Sequence, residues 1–193
     1  DTAVVIPALL GMRMSDGVLS IKAKDAEKLS AIAADIESLA QKLNVPEEKL
    51  ARAKKVRSHA SRGEWTKVFL ELGFLQADVM KTLDEDGNKN RRAILVSAGW
   101  MQGARAISGI VLDSYNQDSA GLLREPLLVK TLHEDLQKVK SPARESKQIG
   151  ALIDAMAGIF PLLDIPLHAS PAEADVKKLH DLSTECLKVI LVE

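Results

Sequence analysis

The chain has 193 residues, of which 46% are apolar and 27% charged, a composition that excludes a largely disordered protein. Its formal net charge of −1 leaves no strong overall field to attract nucleic acid or an anionic membrane, so we expect no nucleic-acid partner. The only cysteine excludes an intramolecular disulfide bond and a thiolate metal cluster.

An apolar segment opens the chain. Residues 4–10 read VVIPALL, a short run that is interrupted by Pro7 and has no basic region before it, so we predict neither a signal peptide nor a membrane span. We expect residues 1–20 to pack on the body of the protein. Since the sequence begins with Asp1 and not with methionine, an exported mature chain is slightly favoured over a cytoplasmic one.

Beyond this segment, apolar residues recur with the spacing of amphipathic helices. In residues 29–43 they fall at i, i+3, i+4 and i+7, which predicts one such helix. Pro46 is expected to begin the next helix, and another follows over about residues 65–83. The turn at residues 84–90 contains Gly87, which suits the left-handed conformation found at helix ends.

The second half of the chain continues with helices. One is predicted over about residues 91–115, and another over residues 122–139, with Pro126 at the start of its main part. Ser141 and Ser170, each followed by proline, are predicted to cap two further helices. No sustained apolar–polar alternation indicates a strand.

The predicted fold is therefore all-α. We expect a single domain over residues 1–193, built as one compact bundle of about six to eight helices with largely antiparallel neighbours. The helix near residues 91–115 is apolar on nearly all sides, and a helix of this kind is usually buried. It is therefore expected at the centre of the bundle.

Three glycines, Gly99, Gly103 and Gly109, lie inside this central helix, where each costs about 1 kcal/mol relative to alanine. Gly99 and Gly103 share one face, which predicts that a neighbouring helix crosses there at short distance. The alternative is a small ligand held between helices by Gly99, Gly103, Gln102 and Arg105.

A basic run covers residues 49–62, which hold six lysines or arginines and no acidic residue. Its Arg52, Lys55, His59 and Arg62 fall on one side of the predicted helix, where they could bind a polyanion or an acidic partner. The alternative, which we favour, is a solvated face whose charges are balanced by acids elsewhere in the fold.

Motifs for catalysis or metal binding are not evident. No two histidines have the spacing to chelate a metal on one helix face, and Cys186 falls on an apolar stripe, where a buried thiol is typical. We therefore predict no metal and no cofactor. The leading hypothesis is a non-enzymatic helical protein that acts in binding or assembly with a protein partner. The alternatives are a bundle that binds a small ligand or metal near residues 99–105, and an enzyme with scattered catalytic carboxylates.

Overall fold

The structure, a computed structural model, describes residues 2–85, 87 and 89–191. In this part of the chain eight helices of at least twelve residues follow one another, together with a five-residue helix and a 3-10 turn, and no residue lies in a strand. The predicted all-α multi-helix fold is confirmed. The helices are α1 (Thr2–Ala23), α2 (Ala26–Lys42), α3 (Glu47–Ser61), α4 (Trp65–Glu85), α5 (Lys89–Asp113), α6 (Gln117–Gly121), α7 (Pro126–Gln137), α8 (Lys147–Leu163) and α9 (Glu173–Leu191).

Short polar side chains fix several helix starts. Asp25 accepts a hydrogen bond from the backbone N–H of Lys28, and Asn116 accepts one from Ser119, which satisfies amide groups that have no partner inside the helix. Gly63 and Gly87, with φ angles of +68° and +66°, adopt the left-handed conformation that ends a helix. The expectation for Gly87 is thus confirmed.

Two expectations about prolines are wrong. Pro7 does not interrupt the N-terminal segment, because it is the sixth residue of a helix that continues to Ala23. Ser141 does not cap a long helix: it precedes a 3-10 turn at Ala143–Glu145, and the side chain of Ser146 caps α8 instead, accepting from the N–H of Ile149. Pro7 lies in the second turn of α1, so its missing N–H removes one backbone hydrogen bond and the helix continues beyond it.

Successive long helices alternate in direction, as their side-chain pairs indicate. Arg52 on α3 reaches Asp78 on α4, Asn90 at the start of α5 reaches Lys140 beyond the end of α7, and Tyr115 reaches Pro171 just before α9. Gly11 of α1 meets Gly99 of α5 and Ser15 meets Gly103, so these two helices run in the same direction. This parallel pair departs from the antiparallel arrangement that is predicted for most neighbouring helices.

The α1–α5 pair lies between two apolar cores. One core is built mainly by α5, α7, α8 and α9, and the other mainly by α2, α3 and α4. Helix α1 contributes to both, with Val4, Ala8 and Met12 in the first core and Leu10, Met14 and Ile21 in the second. Helix α5 contacts α1, α4, α7, α8 and α9, which is the central place expected for an apolar glycine-containing helix.

Helix α1 has an unusual composition for its position. Among the described residues it is the one helix whose length and mean hydropathy, 1.5 over an 18-residue window, would suffice to cross a membrane. Of that window, 56% is buried inside the protein. A buried core helix satisfies the same criterion, and α1 packs against α2, α4 and α5.

Candidate functional site

The predicted close helix crossing is present at Gly99. A Cβ atom on Gly99 would lie 2.9 Å from the carbonyl oxygen of Gly11 on α1 and 3.2 Å from its carbonyl carbon. A Cβ on Gly11 would in turn collide with the carbonyl oxygen of Leu95. The two backbones are therefore in direct contact, and this side of Gly99 has no room for a ligand.

The other residues of the predicted ligand site face different neighbours. Gly103 lies beside Ser15, whose Oγ would be 3.1 Å from an added Cβ. Gln102 is buried and its Nε2 donates to Asp16 Oδ1 at 2.5 Å. The backbone carbonyl of Arg105 is 3.0 Å from Nδ1 of His180 on α9. The residues thus point towards both α1 and α9.

Two side-chain atoms of these predicted ligand-site residues are buried without a hydrogen-bond partner among the described residues. They are Oε1 of Gln102 and Nε of Arg105. A shallow groove of about 220 Å³ lies beside the α1–α5 crossing and is lined by Gly99, but Gln102, Gly103 and Arg105 do not line it. The four predicted residues are therefore not brought together around one cavity, and their role in ligand binding stays a prediction.

The basic run on α3 packs along the acidic residues of α4. Arg52 Nε donates to Asp78 at 2.7 Å and its Nη1 to Glu71 at 3.1 Å, while Lys55 Nζ is 3.9 Å from Glu71. The hydrogen bond to Asp78, followed by the bond to Glu71, raises the pKa of Arg52. The first two of the four predicted cations thus face carboxylates of the same chain.

The other two residues of the predicted surface, His59 and Arg62, converge on Glu64 in the α3–α4 turn. His59 Nδ1 is 2.5 Å from Glu64 Oε2, and Arg62 Nη2 is 2.9 Å from the same atom. Lys67 reaches the second carboxylate oxygen at 2.8 Å. Hydrogen bonds from Lys67, His59 and Arg62 lower the pKa of Glu64 from 4.5 to about 2. The surface formed by Arg52, Lys55, His59 and Arg62 is therefore locally matched in charge.

Helix α4 carries a second apolar face that sequence reasoning missed. Its inner face contains the buried Val68, Leu72, Leu75, Val79 and Leu83. Its outer face, which we call the α4 stripe, consists of the exposed Phe69, Leu70, Gly73, Phe74 and Ala77. Phe69 is 53% exposed, and Leu70 and Phe74 are each 50% exposed.

The Arg52 guanidinium borders this stripe. It lies over the ring of Phe74, 5.0 Å from the centroid, and is held there by Glu71 and Asp78. A cation above an aromatic face is stabilised by the ring quadrupole. The contact fixes the orientation of Phe74 while leaving half of its surface exposed.

A cleft of about 950 Å³ separates α5 from α7. Ala93 and Val96 line its α5 wall, and Leu128 and Leu132 line its α7 wall. Because the two helices are antiparallel, the first turn of α5 meets the residues that follow α7, and charged side chains collect at that end. Asn90 joins the two walls through hydrogen bonds with the backbone N–H and C=O of Lys140.

The histidine and cysteine side chains of the described residues show no arrangement for metal binding or nucleophilic catalysis. No three His, Cys, Asp or Glu side chains are placed to hold one metal ion in this part of the chain. His180 lies within hydrogen-bond distance of Ser108 Oγ and the Arg105 carbonyl. Cys186 is 4% exposed, and burial raises the pKa of its thiol to about 12.

Neither the cleft nor the α4 stripe was foreseen from the sequence. The stripe left a signal, since Phe69, Gly73 and Ala77 repeat every four residues beside the buried series of α4. The cleft left none, because its walls are about 40 residues apart in sequence and meet only in the folded chain.

Comparison of this chain with models of protein families, with curated proteins and with solved structures returns no match.

Proposed function

We propose that this is a non-enzymatic assembly protein that pairs with a second copy of itself through the α4 stripe. The observation that carries the proposal is the exposure of Phe69, Leu70 and Phe74 side by side on one helix face. Apolar side chains that cluster on one exposed helix face are unfavourable in water, and such a patch is a candidate interface. Aromatic residues are also enriched at the centres of such interfaces.

Gly73 supports a helical partner. Nothing lies within 4 Å of the position of a Cβ on Gly73, so no intramolecular contact offsets its helix-propensity cost of about 1 kcal/mol. At Gly99 the same cost accompanies backbone contact with α1. By analogy, Gly73 would let the backbone or a large side chain of another helix approach α4 from outside.

A second copy fits because the stripe is complementary to itself. In an antiparallel α4 pair with its two-fold axis between residues 71 and 72, Leu70 would face the partner's Gly73, and Phe69 would face the partner's Phe74. A large residue then meets a small one on both sides of the axis, as an isologous interface requires. Two offset aromatic pairs would flank the centre.

The charges around the stripe permit this pairing. The side chains of Glu71 and Asp78 are engaged by Arg52, so they do not present unpaired carboxylates to the partner. In the proposed register Lys67 falls opposite the partner's Gln76, so no two like charges are directly opposed there. The net charge of −1 also adds little repulsion between copies.

The expected dimer is reversible. The three half-exposed side chains of the stripe offer roughly 250–300 Å² per copy, given the usual areas of Phe and Leu. A standard stable interface buries about 800 Å² per copy, and smaller interfaces are typical of weak association. Neighbouring side chains of α3 and α4 would add to the area. We therefore expect a dissociation constant on the order of micromolar.

Sedimentation velocity over a concentration series tests the proposal. Wild type should shift from monomer to dimer as concentration rises through the micromolar range. Leu70→Asp should remain monomeric, because it would place a charge at the centre of the interface. The matched control is Leu167→Asp, which changes a leucine that is 76% exposed and lies outside the stripe, and it should dimerise like wild type.

Gly73→Leu separates an interface from a role in folding. The monomer has open space at this position, so its thermal stability should be unchanged or slightly raised. Dimerisation should nevertheless be lost, because the new side chain fills the space meant for the partner's Leu70. A wild-type protein that stays monomeric at millimolar concentration, or that binds phosphatidylcholine vesicles through Phe69 while monomeric, would overturn the proposal.

A further inference from the structure

We infer that the cleft between α5 and α7 binds a small amphiphilic anion, a molecule with one oxyanion group on an apolar chain. This site is separate from the α4 stripe, none of whose residues lines the cleft. Its volume of about 950 Å³ is within the usual range for small-molecule sites. The inference therefore does not depend on the proposed dimer.

The cleft is polar at one end and apolar at the other. Val96 and Leu128 line the apolar end, and Leu128 is 40% exposed, so part of its surface is open to solvent. Lys89, Arg92 and Lys140 line the opposite end, where the first turn of α5 meets the segment after α7. An amphiphile could therefore lie along the cleft with its chain on the leucine and its charged group among the cations.

The charges at the polar end favour an anion. Among the described residues that line the cleft, four are basic and two are acidic. Both acids are already paired, Asp84 with Arg92 and Asp135 with Lys138. Within the described residues no carboxylate lies within ion-pair distance of the remaining two cations, Lys89 and Lys140. Among the described residues that line the cleft, basic groups thus outnumber acidic ones by two.

Asn90 ties the backbone of one of these lysines to α5. Its Oδ1 accepts from the backbone N–H of Lys140 at 3.3 Å, and its Nδ2 donates to the Lys140 carbonyl at 3.4 Å. The Lys140 backbone is therefore tied to α5, while its exposed side chain is free to reach a bound anion. A cation positioned by its backbone loses less conformational freedom when a ligand binds.

Titration with sodium decanoate, below its micellar concentration, tests the inference by calorimetry and thermal shift. Wild type should bind one equivalent and melt at a higher temperature. The double variant Lys89→Gln/Lys140→Gln should bind about tenfold more weakly or worse, the equivalent of about 1.4 kcal/mol. The matched control is Lys130→Gln, an exposed lysine of α7 that does not line the cleft, and its affinity should equal that of wild type.

A second pair of variants tests the apolar end. Leu128→Asp should weaken decanoate binding strongly, whereas Leu127→Asp, at the neighbouring residue outside the cleft, should not. Amide shifts on titration should concentrate at Ala93 and Val96. Inorganic phosphate and decanol should each bind more weakly than decanoate, because each offers only half of the required chemistry.

Three results would overturn the inference. The first is the absence of decanoate binding to the wild-type protein. The second is an equal loss of affinity in Lys130→Gln and in the double variant. The third is phosphate binding as tight as that of decanoate, which would leave a simple anion site and no amphiphile.

Discussion

The backbone of Gly11 rests directly against that of Gly99, with the Gly11 carbonyl oxygen 2.9 Å from the place that a Cβ on Gly99 would occupy. This contact joins two parallel helices whose sequence positions differ by almost ninety residues. It also explains why a buried helix contains glycine: the dispersion attraction between two closely packed backbones offsets the lost helix propensity.

The first prediction concerns this contact. Gly99→Ala should destabilise the protein by about 1–3 kcal/mol, because backbone atoms cannot rotate away from a new methyl group. Gly150→Ala is the control: it is helical and has nothing within 4 Å of the new atom, so it should be stabilising by about 0.4–1 kcal/mol. Urea unfolding of both variants measures the difference. Equal stability of Gly99→Ala and Gly150→Ala would contradict the close-contact account.

Gly103 and Gly109 should behave differently from Gly99. At Gly103 the neighbour is the side-chain oxygen of Ser15, which can move, so Gly103→Ala should be mild while Gly103→Leu should cost about 1–3 kcal/mol. At Gly109 an added Cβ would lie 3.3 Å from Cε1 of His180. We expect Gly109→Ala to stay within about 1 kcal/mol of wild type, as propensity and crowding oppose each other. A Gly103→Leu protein as stable as wild type would argue for open space there.

The thiol of Cys186 should be unreactive in the folded protein. Burial raises its pKa to about 12, so the thiolate that reacts with disulfide reagents is scarce at neutral pH. An aromatic disulfide reagent at pH 8 should label the native chain only at the rate of unfolding, and should label it rapidly in guanidinium chloride. Stoichiometric labelling of the native protein within minutes would show an accessible thiol.

Glu64 should titrate far below an ordinary glutamate. Its pKa is lowered from 4.5 to about 2 by Lys67 first, then by His59 and Arg62. A lowered folded-state pKa contributes stability that is present above pH 4.5 and lost as pH falls towards 2. The stability difference between wild type and Glu64→Gln should therefore shrink over this range. Carboxyl-carbon NMR gives the pKa directly, and Lys67→Gln should move it back towards 4.5.

The surface of Arg52, Lys55, His59 and Arg62 should bind polyanions poorly. Each of these side chains lies beside a carboxylate of the same chain, so little net field is left for an external anion. The protein should elute from immobilised heparin at low salt, with little change after glutamine substitution of the two arginines and the lysine. Strong retention that the substitutions abolish would instead establish a polyanion site.

Much of the fold could be predicted from local patterns. Apolar spacing indicated the amphipathic helices, and Gly87 marked a helix end that the structure confirms. The misplaced helix start near Ser141 has a local cause as well, since Ser146 offers an equally good cap five residues later. The prediction that Pro7 interrupts the N-terminal segment was wrong because the effect of a proline depends on its position within the helix.

The candidate sites were less accessible to this reasoning. Periodicity identified the face of Gly99, but the residue that meets it, Gly11, is fixed by how distant helices pack. The basic run on α3 was visible, whereas its neutralisation by Glu71 and Asp78 depends on the register of α4 against α3. The cleft at Lys89 and Lys140 exists only because α5 and α7 are antiparallel neighbours.

The parallel α1–α5 pair has a consequence for synthesis on the ribosome. Helix α1 is made before α5, and Gly99 follows Gly11 by nearly ninety residues, so at 5–20 residues per second the partner backbone arrives roughly 4–18 seconds later. During this interval a 22-residue helix with the hydropathy of a membrane span has only α2 to α4 to cover it. Part of this apolar helix therefore stays uncovered for several seconds during synthesis, which gives chaperones time to bind it.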